Sequence, residues 1–337
     1  MLLSAGEAVL SDDATYLKSS TLKSGITVCT AVKHDFFGKS GAMSSYDTEN
    51  HSYCTAFDCY VSKGETLHLV KYTVTTDSLR CADCLSEAEK LIKESFGKVN
   101  ELYAEQRAYL DGFWQSSETE IDSDDGSDLA LAFNQYELLQ SCGRDEYCAI
   151  ASKGLSGEGY EGHYFWDTEI YLMPFFNCTN PQLARGLLRY RYRCLELAKE
   201  NAKLLGHRKG ALFPWRTISG RECSGYFPAG SAQYHINGDI SYAAVQYYLA
   251  TGDIRYLADE GAEILIETAR LWMDTGNFCG GRFIINDVTG PDEYTCIVNN
   301  NYYTNASARY NLYWAYKASE ILKENGLWSP DGVSDEE

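Results

Sequence analysis

Between Ile26 and His34, and again between Glu65 and Thr76, apolar and polar residues tend to alternate in stretches dense in Val, Thr, Leu and Tyr. Successive strand side chains point to opposite faces, so this period of two predicts half-buried β-strands. The segment up to about residue 80 therefore reads as β-rich, with turns at Gly38 to Tyr46 and at Ser62-Lys63-Gly64-Glu65. The period changes near Ser86. Leu91, Ile92, Phe96, Val99, Leu102 and Tyr103, with charges between them, follow a helical spacing that runs to about Trp114.

From about Ser127 the pattern predicts helices joined by long loops. Leu129, Phe133, Tyr136 and Leu139 fall on one helical face. Leu183, Leu187, Leu188, Leu195, Ala198 and Leu205 do so over a longer helix. Ile254, Leu257, Gly261, Ile264, Leu265, Thr268 and Trp272 form another stripe, and Tyr302 to Leu322 a further helix. The loops Arg144 to Trp166, Gly206 to His235 and Gly276 to Asn300 exceed mere connectors. Loops of that length are functional or disordered, and their Trp, Tyr, Gly and Pro content argues against disorder. Helices with such loops predict an α/α toroid or a large helical bundle, its loops gathered at one end.

Composition narrows the function. The chain has 337 residues, long enough for about two domains, and 45% are hydrophobic. Its 29 basic and 48 acidic residues leave a formal charge of -19. Such a surface repels phosphate backbones and anionic membranes, so nucleic-acid and membrane partners are not expected, whereas a neutral polyol is not penalised. The acidic run Glu118 to Asp128 reads as a solvated loop. The 12 cysteines are scattered, which fits a reducing cytoplasm better than a disulfide scaffold. Cys81 and Cys84 form a lone Cys-x-x-Cys with no second pair, so no metal is expected. No stretch reaches the roughly 18 apolar residues of a membrane helix.

Three constellations carry candidate chemistry. The first is Gly162-His163-Tyr164-Phe165-Trp166-Asp167-Thr168-Glu169, entered through the glycine-rich loop that starts at Gly154. Aromatic faces stack on sugar rings, and carboxylates accept paired hydrogen bonds from vicinal hydroxyls. The plain alternative is a buried aromatic cluster, with Asp167 or Thr168 capping a helix from Glu169 to Phe176. Gly157-x-Gly159-x-x-Gly162 matches a dinucleotide fingerprint in letters only, since no strand precedes it and aromatics follow it. The second constellation is Phe213-Pro214-Trp215-Arg216-Thr217, followed by Phe227 to Asn237 with His235. Trp215, Arg216 and His235 could contact a sugar; equally, Trp215 could be core and Arg216 could pair with an acid. The third is Gly290-Pro291-Asp292-Glu293-Tyr294, a tight turn that projects Glu293. A carboxyl held between Pro291 and Tyr294 would be partly desolvated, and desolvation raises a carboxyl pKa toward that of a general acid. The alternative is a turn with an exposed Glu.

The order of the blocks 154–169, 213–217 and 290–294 resembles that of glycoside hydrolase family 65, a family of inverting α-glucoside phosphorylases that also holds some trehalose hydrolases. The resemblance is close over residues 127 to about 325 and weaker over 1 to 115. It implies a mainly α fold: the end of an N-terminal β-sandwich at 1–82, a helical linker at 83–125, and the first part of an (α/α)6 barrel at 126–337. It implies that Glu293 is the general acid and that Trp166 and Asp167 hold the glucosyl unit. Trp215, Arg216, His235 and Tyr294 are carried over as further substrate contacts. Phosphate is then the nucleophile, a co-substrate with the disaccharide, and the product is β-glucose 1-phosphate. No cofactor and no second protein carboxylate are called for, so Glu158, Glu161 and Glu169 read as hydroxyl ligands or loop anchors. Hydrolysis of the same bond and non-catalytic glucoside binding are the rival activities. The resemblance also implies a homodimer. It places the phosphate-binding loop beyond residue 337, so the chain is expected to be a fragment with doubtful activity alone.

Overall fold

Tyr16, Cys29, Ala31 and Tyr72 are buried on one face of an antiparallel sheet, and covering that face organises the first of two units, which divide between Gly112 and Phe113. The structure is a computed structural model that describes residues 7–10, 14–37, 42–47, 52–122, 125–328 and 333–334. The strands are β1 (Glu7–Leu10), β2 (Thr15–Ser20), β3 (Thr27–Phe37), β4 (Ala42–Asp47), β5 (Ser52–Phe57) and β6 (His68–Asp77). β1, β2, β3 and β6 form one sheet in that order, with Ala31 opposite both Tyr16 and Val74. β4 and β5 form a separate hairpin. The turn expected at Gly38 to Tyr46 is corrected there: residues 38–41 lie outside the described residues, and 42–46 belong to β4. Cross-strand pairing with β5 supplies what weak local propensity did not announce. The turn at 62–65 is present, closed by the Glu65 amide donating to the Ser62 carbonyl at 3.0 Å.

The helical stretch expected from 86 to 114 is two helices, α1 (Cys84–Ser95) and α2 (Val99–Ser117). Asp83 caps α1 by accepting from the Leu85 and Ser86 amides. Gly97, at φ +80, turns the chain out of the helix in a conformation that side chains disfavour. α1 buries Cys84, Ala88 and Ile92, four residues apart, against the sheet. The acidic residues of the run beyond α2 are exposed wherever they are described.

In the second unit the helices are α3 (Ser127–Ser141), α4 (Met173–Thr179), α5 (Pro181–Arg193), α6 (Leu195–Leu204), α7 (His235–Thr251), α8 (Ile254–Tyr256), α9 (Ala262–Thr275) and α10 (Tyr302–Glu324). α3 does not bury the face its apolar pattern predicts. Leu139 and Gln135 point inward, while Leu129 and Phe133 are exposed. The long helix expected from Leu183 to Leu205 breaks at Cys194 into α5 and α6. The loop expected at 276–300 contains a short hairpin, β7 (Asn277–Cys279) with β8 (Arg282–Ile284).

No periodic stripe marks α7 in the sequence. The helix is buried on nearly every side from His235 to Val245, so no polar face exists to create a period. Its polar residues are hydrogen-bonded inside. Asn237 accepts from the Phe213 amide at 3.0 Å and donates to the Ala211 carbonyl at 2.7 Å. α4, α5, α9 and α10 all pack on α7, and its flanks join two apolar clusters, one with Phe176, Leu187 and Leu188, the other with Leu265, Ala318 and Leu322. No helix among the described residues is long and apolar enough to cross a membrane.

Candidate active site

The aromatic block leads into a π-helical turn, Thr168–Leu172, that runs directly into α4. Single π turns recur at functional sites. Asp167 does not cap this helix: it has helical backbone angles and makes no capping hydrogen bond. Its side chain is exposed and has no hydrogen-bond or ionic partner among the described residues. Glu169 behaves differently. It forms a two-pronged ion pair with Arg191 of α5, and each side chain is only 1% exposed. Arg191 also donates to the Phe165 carbonyl at 3.3 Å, so the pair anchors the backbone beneath Trp166. Glu169 is thus a loop anchor rather than a sugar ligand.

Trp166 is flanked by three rings, one edge-on and two tilted. The His235 ring lies 5.1 Å from it at 81°, Tyr171 at 5.6 Å and Tyr303 at 6.2 Å. His235 is fully buried, and both its nitrogens are occupied. Nδ1 donates to Asp239 Oδ2 at 2.7 Å, and Nε2 lies 3.0 Å from the side-chain amide of Gln233. The expectation that His235 donates to a substrate hydroxyl is therefore corrected: it has neither a free nitrogen nor access to solvent. Asp239 also accepts from the Tyr303 hydroxyl at 2.6 Å. Burial pushes the Asp239 carboxyl up, against the opposing pull of the His235 and Tyr303 bonds. Burial and the neighbouring Asp239 push the Tyr303 phenol well up, so it keeps its proton and remains the donor. No sequence motif singles out Asp239 or Tyr303. The signal for Asp239 was its place four residues after His235, one helical turn on.

The second block turns out largely structural at Trp215. Its indole is 8% exposed and packs edge-on against Phe165 at 5.5 Å, so it belongs to the core and cannot stack on a sugar. Thr217 and Tyr164 pair through two backbone hydrogen bonds, which lays this segment beside the aromatic block. Arg216 then reaches Glu161 at 2.8 Å and joins the glycine-rich loop to the 213–217 segment. Glu161 is thereby a loop tie, while Glu158 is exposed.

Glu293 sits at the apex of a loop. The Gly290 amide donates to the Thr295 carbonyl at 2.8 Å, and Asp292 accepts from the Thr295 amide and hydroxyl at 2.7 Å each. These bonds hold the Asp292 carboxyl below the usual range. Glu293 and Tyr294 project outward, both exposed. The enclosure expected of Glu293 is corrected accordingly. The turn spends its contacts on Asp292 and Thr295, and neither Pro291 nor Tyr294 shields the acid. Glu293 has no hydrogen-bond or ionic partner among the described residues.

The loop bearing Glu293 meets the Trp166 cluster at its base. The Thr289 amide donates to the Ala232 carbonyl at 2.9 Å, next to Gln233. At its far end Asn301 caps α10 by accepting from the Thr304 amide at 3.1 Å, one residue beyond Tyr303. Among the described residues, the five non-glycine residues with left-handed backbone fall in just two loops. Tyr160 and Glu161 lie in the glycine-rich loop, and Asp287, Ile297 and Asn300 in the Glu293 loop. Such strain, about 1–3 kcal/mol per residue, gathers where function requires a fixed loop shape. The candidate residues line neither of two cavities of about 800 and 690 Å³, which lie beside Met273 and Tyr316 and beside the acidic run.

The same two regions are recognised in known proteins. Residues 132–335 match the glycosyl hydrolase family 65 central catalytic domain, and residues 2–113 match the family's N-terminal domain. The α,α-trehalose phosphorylase of Geobacillus stearothermophilus is 49% identical over 99% of this chain and 43% of its own length. The kojibiose phosphorylase of Halothermothrix orenii is 34% identical over 90% of this chain and 43% of its own. The solved structure of a putative kojibiose phosphorylase from the human microbiome superposes with a TM-score of 0.82 at 25% identity, covering 96% of this chain and 44% of that one. The chain thus spans less than half the length of these relatives. Family models over both units and identities of this size place one conclusion beyond the site geometry: the chain belongs to glycosyl hydrolase family 65.

Proposed function

We propose that this chain carries the glucosyl-holding and acid-donating residues of an inverting α-glucoside phosphorylase. The observation that carries the reading is the pairing of two unengaged carboxylates on anchored loops. Asp167 follows an indole braced by three rings, and Glu293 tops a loop pinned to the same cluster. Glu293 would protonate the glycosidic oxygen as the bond to the anomeric carbon breaks. Phosphate would attack that carbon from the opposite face, giving β-glucose 1-phosphate and a free sugar. Trp166 and Asp167 would hold the ring, and Arg216 and Tyr294 would border it. Because phosphate supplies the nucleophile, the reaction needs one protein acid and no cofactor. Phosphorylase activity in the trehalose- and kojibiose-phosphorylase relatives supports this reading.

For the fold, we propose the first part of an (α/α)6 barrel preceded by a β-sandwich domain. The all-round burial of α7 supports this reading, as expected of an inner helix of such a barrel. The scatter of twelve cysteines along the chain, without a disulfide-framework spacing, supports a reducing, cytoplasmic setting. A homodimer is proposed from the resemblance and is checked by sedimentation.

Incubating the protein with trehalose and kojibiose, with and without phosphate, tests the function. Glucose 1-phosphate released only with phosphate is the expected result. Free glucose regardless of phosphate would make the protein a hydrolase, and sugar binding without turnover would make it a binding module.

A further inference from the structure

One buried carboxylate touches both sides of the candidate site. Asp239 Oδ2 accepts from His235, whose ring braces Trp166 at 5.1 Å. Asp239 Oδ1 accepts from Tyr303, whose ring packs against His235 at 5.6 Å and Trp166 at 6.2 Å. Tyr303 stands in the first turn of α10, just after the cap residue Asn301 that ends the Glu293 loop. The preceding residue, Asn300, closes that loop through its amide to the Ile285 carbonyl at 2.7 Å. The loop's other attachment, from Thr289 to Ala232, adjoins Gln233, the second partner of His235. The close approach of α10 to α7 is built in. A Cβ on Gly238 would sit 2.3 Å from the Ser307 Cβ, so only glycine lets the two helices come this near.

We infer that Asp239 is a positioning residue that couples the two halves of the site, setting the Trp166 indole through His235 and the base of the Glu293 loop through Tyr303. This rests on the reading of Trp166 with Asp167 and of Glu293 as the two sides of the sugar site. A carboxylate that is 1% exposed cannot trade these bonds for water. Its two oxygens face different elements, so neither partner can shift without disturbing the other. Only core packing would be needed if the role were structural, and an apolar residue at 239 would supply that. The acid instead spends both oxygens on the two residues that lead to Trp166 and to Glu293.

The test uses the whole chain with Asp239→Asn and Tyr303→Phe. The Trp166 indole N–H signal, assigned with Trp166→Phe, reports the first half by NMR. Amide exchange over residues 285–301 reports the second. Tyr303→Phe removes one hydroxyl and keeps the ring, so it decides the matter even if Asp239→Asn fails to fold. Losing a hydrogen bond to a buried charge should speed exchange in the loop by about tenfold or more and move the indole signal. Exchange and indole signal both unchanged in folded Tyr303→Phe would overturn the proposal, and so would a change confined to one half. With disaccharide and phosphate, kcat should fall and KM should rise together. Lack of turnover in the unsubstituted protein would sink the phosphorylase reading but leave the indole and exchange measurements to judge the coupling.

Discussion

Glu169 and Arg191 form a two-pronged ion pair sealed from solvent, with Oε1 2.6 Å from Nε and Oε2 3.0 Å from Nη2. Two residues earlier, Asp167 is exposed and has no partner among the described residues. Burial works against the charge on Arg191, but the adjacent Glu169 outweighs it and pushes the guanidinium further up. Arg191 thus keeps its charge, with Glu169 as the counter-charge beside it. Glu169→Gln leaves a buried guanidinium without its counter-charge and should cost about 3–5 kcal/mol in denaturant unfolding. A loss below about 1 kcal/mol would show that water reaches the pair.

Asp167→Ala should behave in the opposite way. It breaks no hydrogen bond or ion pair among the described residues, so the unfolding midpoint should hold. Sugar affinity should drop by about ten- to a hundredfold, the worth of charge-assisted hydrogen bonds to hydroxyls. Titration calorimetry with glucose checks both halves of the statement. Equal affinity would remove Asp167 from the sugar site.

Glu293→Gln preserves shape but cannot give up a proton. In a phosphorolysis assay its rate should fall by at least about a hundredfold, the usual size of a general-acid contribution. Binding of the sugar should be close to normal, since Glu293 lies on the leaving-group side of the proposed reaction. Undiminished turnover would place the acid elsewhere.

Gly238→Ala should push α10 away from α7, because its methyl group would meet the Ser307 Cβ. Overpacking of this kind costs about 1–3 kcal/mol, read as a lower thermal midpoint. The double variant with Ser307→Gly, which clears the opposing side chain, should recover most of the loss.

Asp274 supplies a pH-dependent tie. It accepts from the Arg208 amide at 3.0 Å, from Arg208 Nε at 2.9 Å and from His207 Nδ1 at 3.3 Å. Burial alone would push its carboxyl up, but these donors outweigh burial and hold it below the ordinary range. Between that depressed value and about 4, the unfolded chain binds more protons than the folded one, so stability rises with pH. The contribution is present above about pH 4 and is lost as the pH falls through the folded value. Asp274→Asn should lower stability at neutral pH and flatten the acid limb of the stability curve. A variant limb that matches the parent's would rule Asp274 out as its source.

Much of this protein is written in its one-dimensional pattern. The alternation at 26–34 and 65–76 became β3 and β6, and the stripes at 254–272 and 302–322 became the helices through α9 and α10, because half-buried elements leave a period in the sequence. The blocks 154–169, 213–217 and 290–294 identified the family from residue order alone. Tertiary structure decided the rest. α7 left no stripe because it is buried all round, and a helix without a wet face has no polar phase to reveal it. Trp215 and Trp166 look alike as letters, yet one lies in the core and the other at the candidate site, a difference set by which segments pack against them. Glu169 and Asp167 are two carboxylates in one block, separated in role only by the approach of Arg191 from another helix. His235 is a brace rather than a sugar contact for a related reason: Gln233 and Asp239 lie within a turn of it along the chain, but Tyr303 joins them only when α10 packs on α7, a contact set by distance in space rather than spacing along the chain.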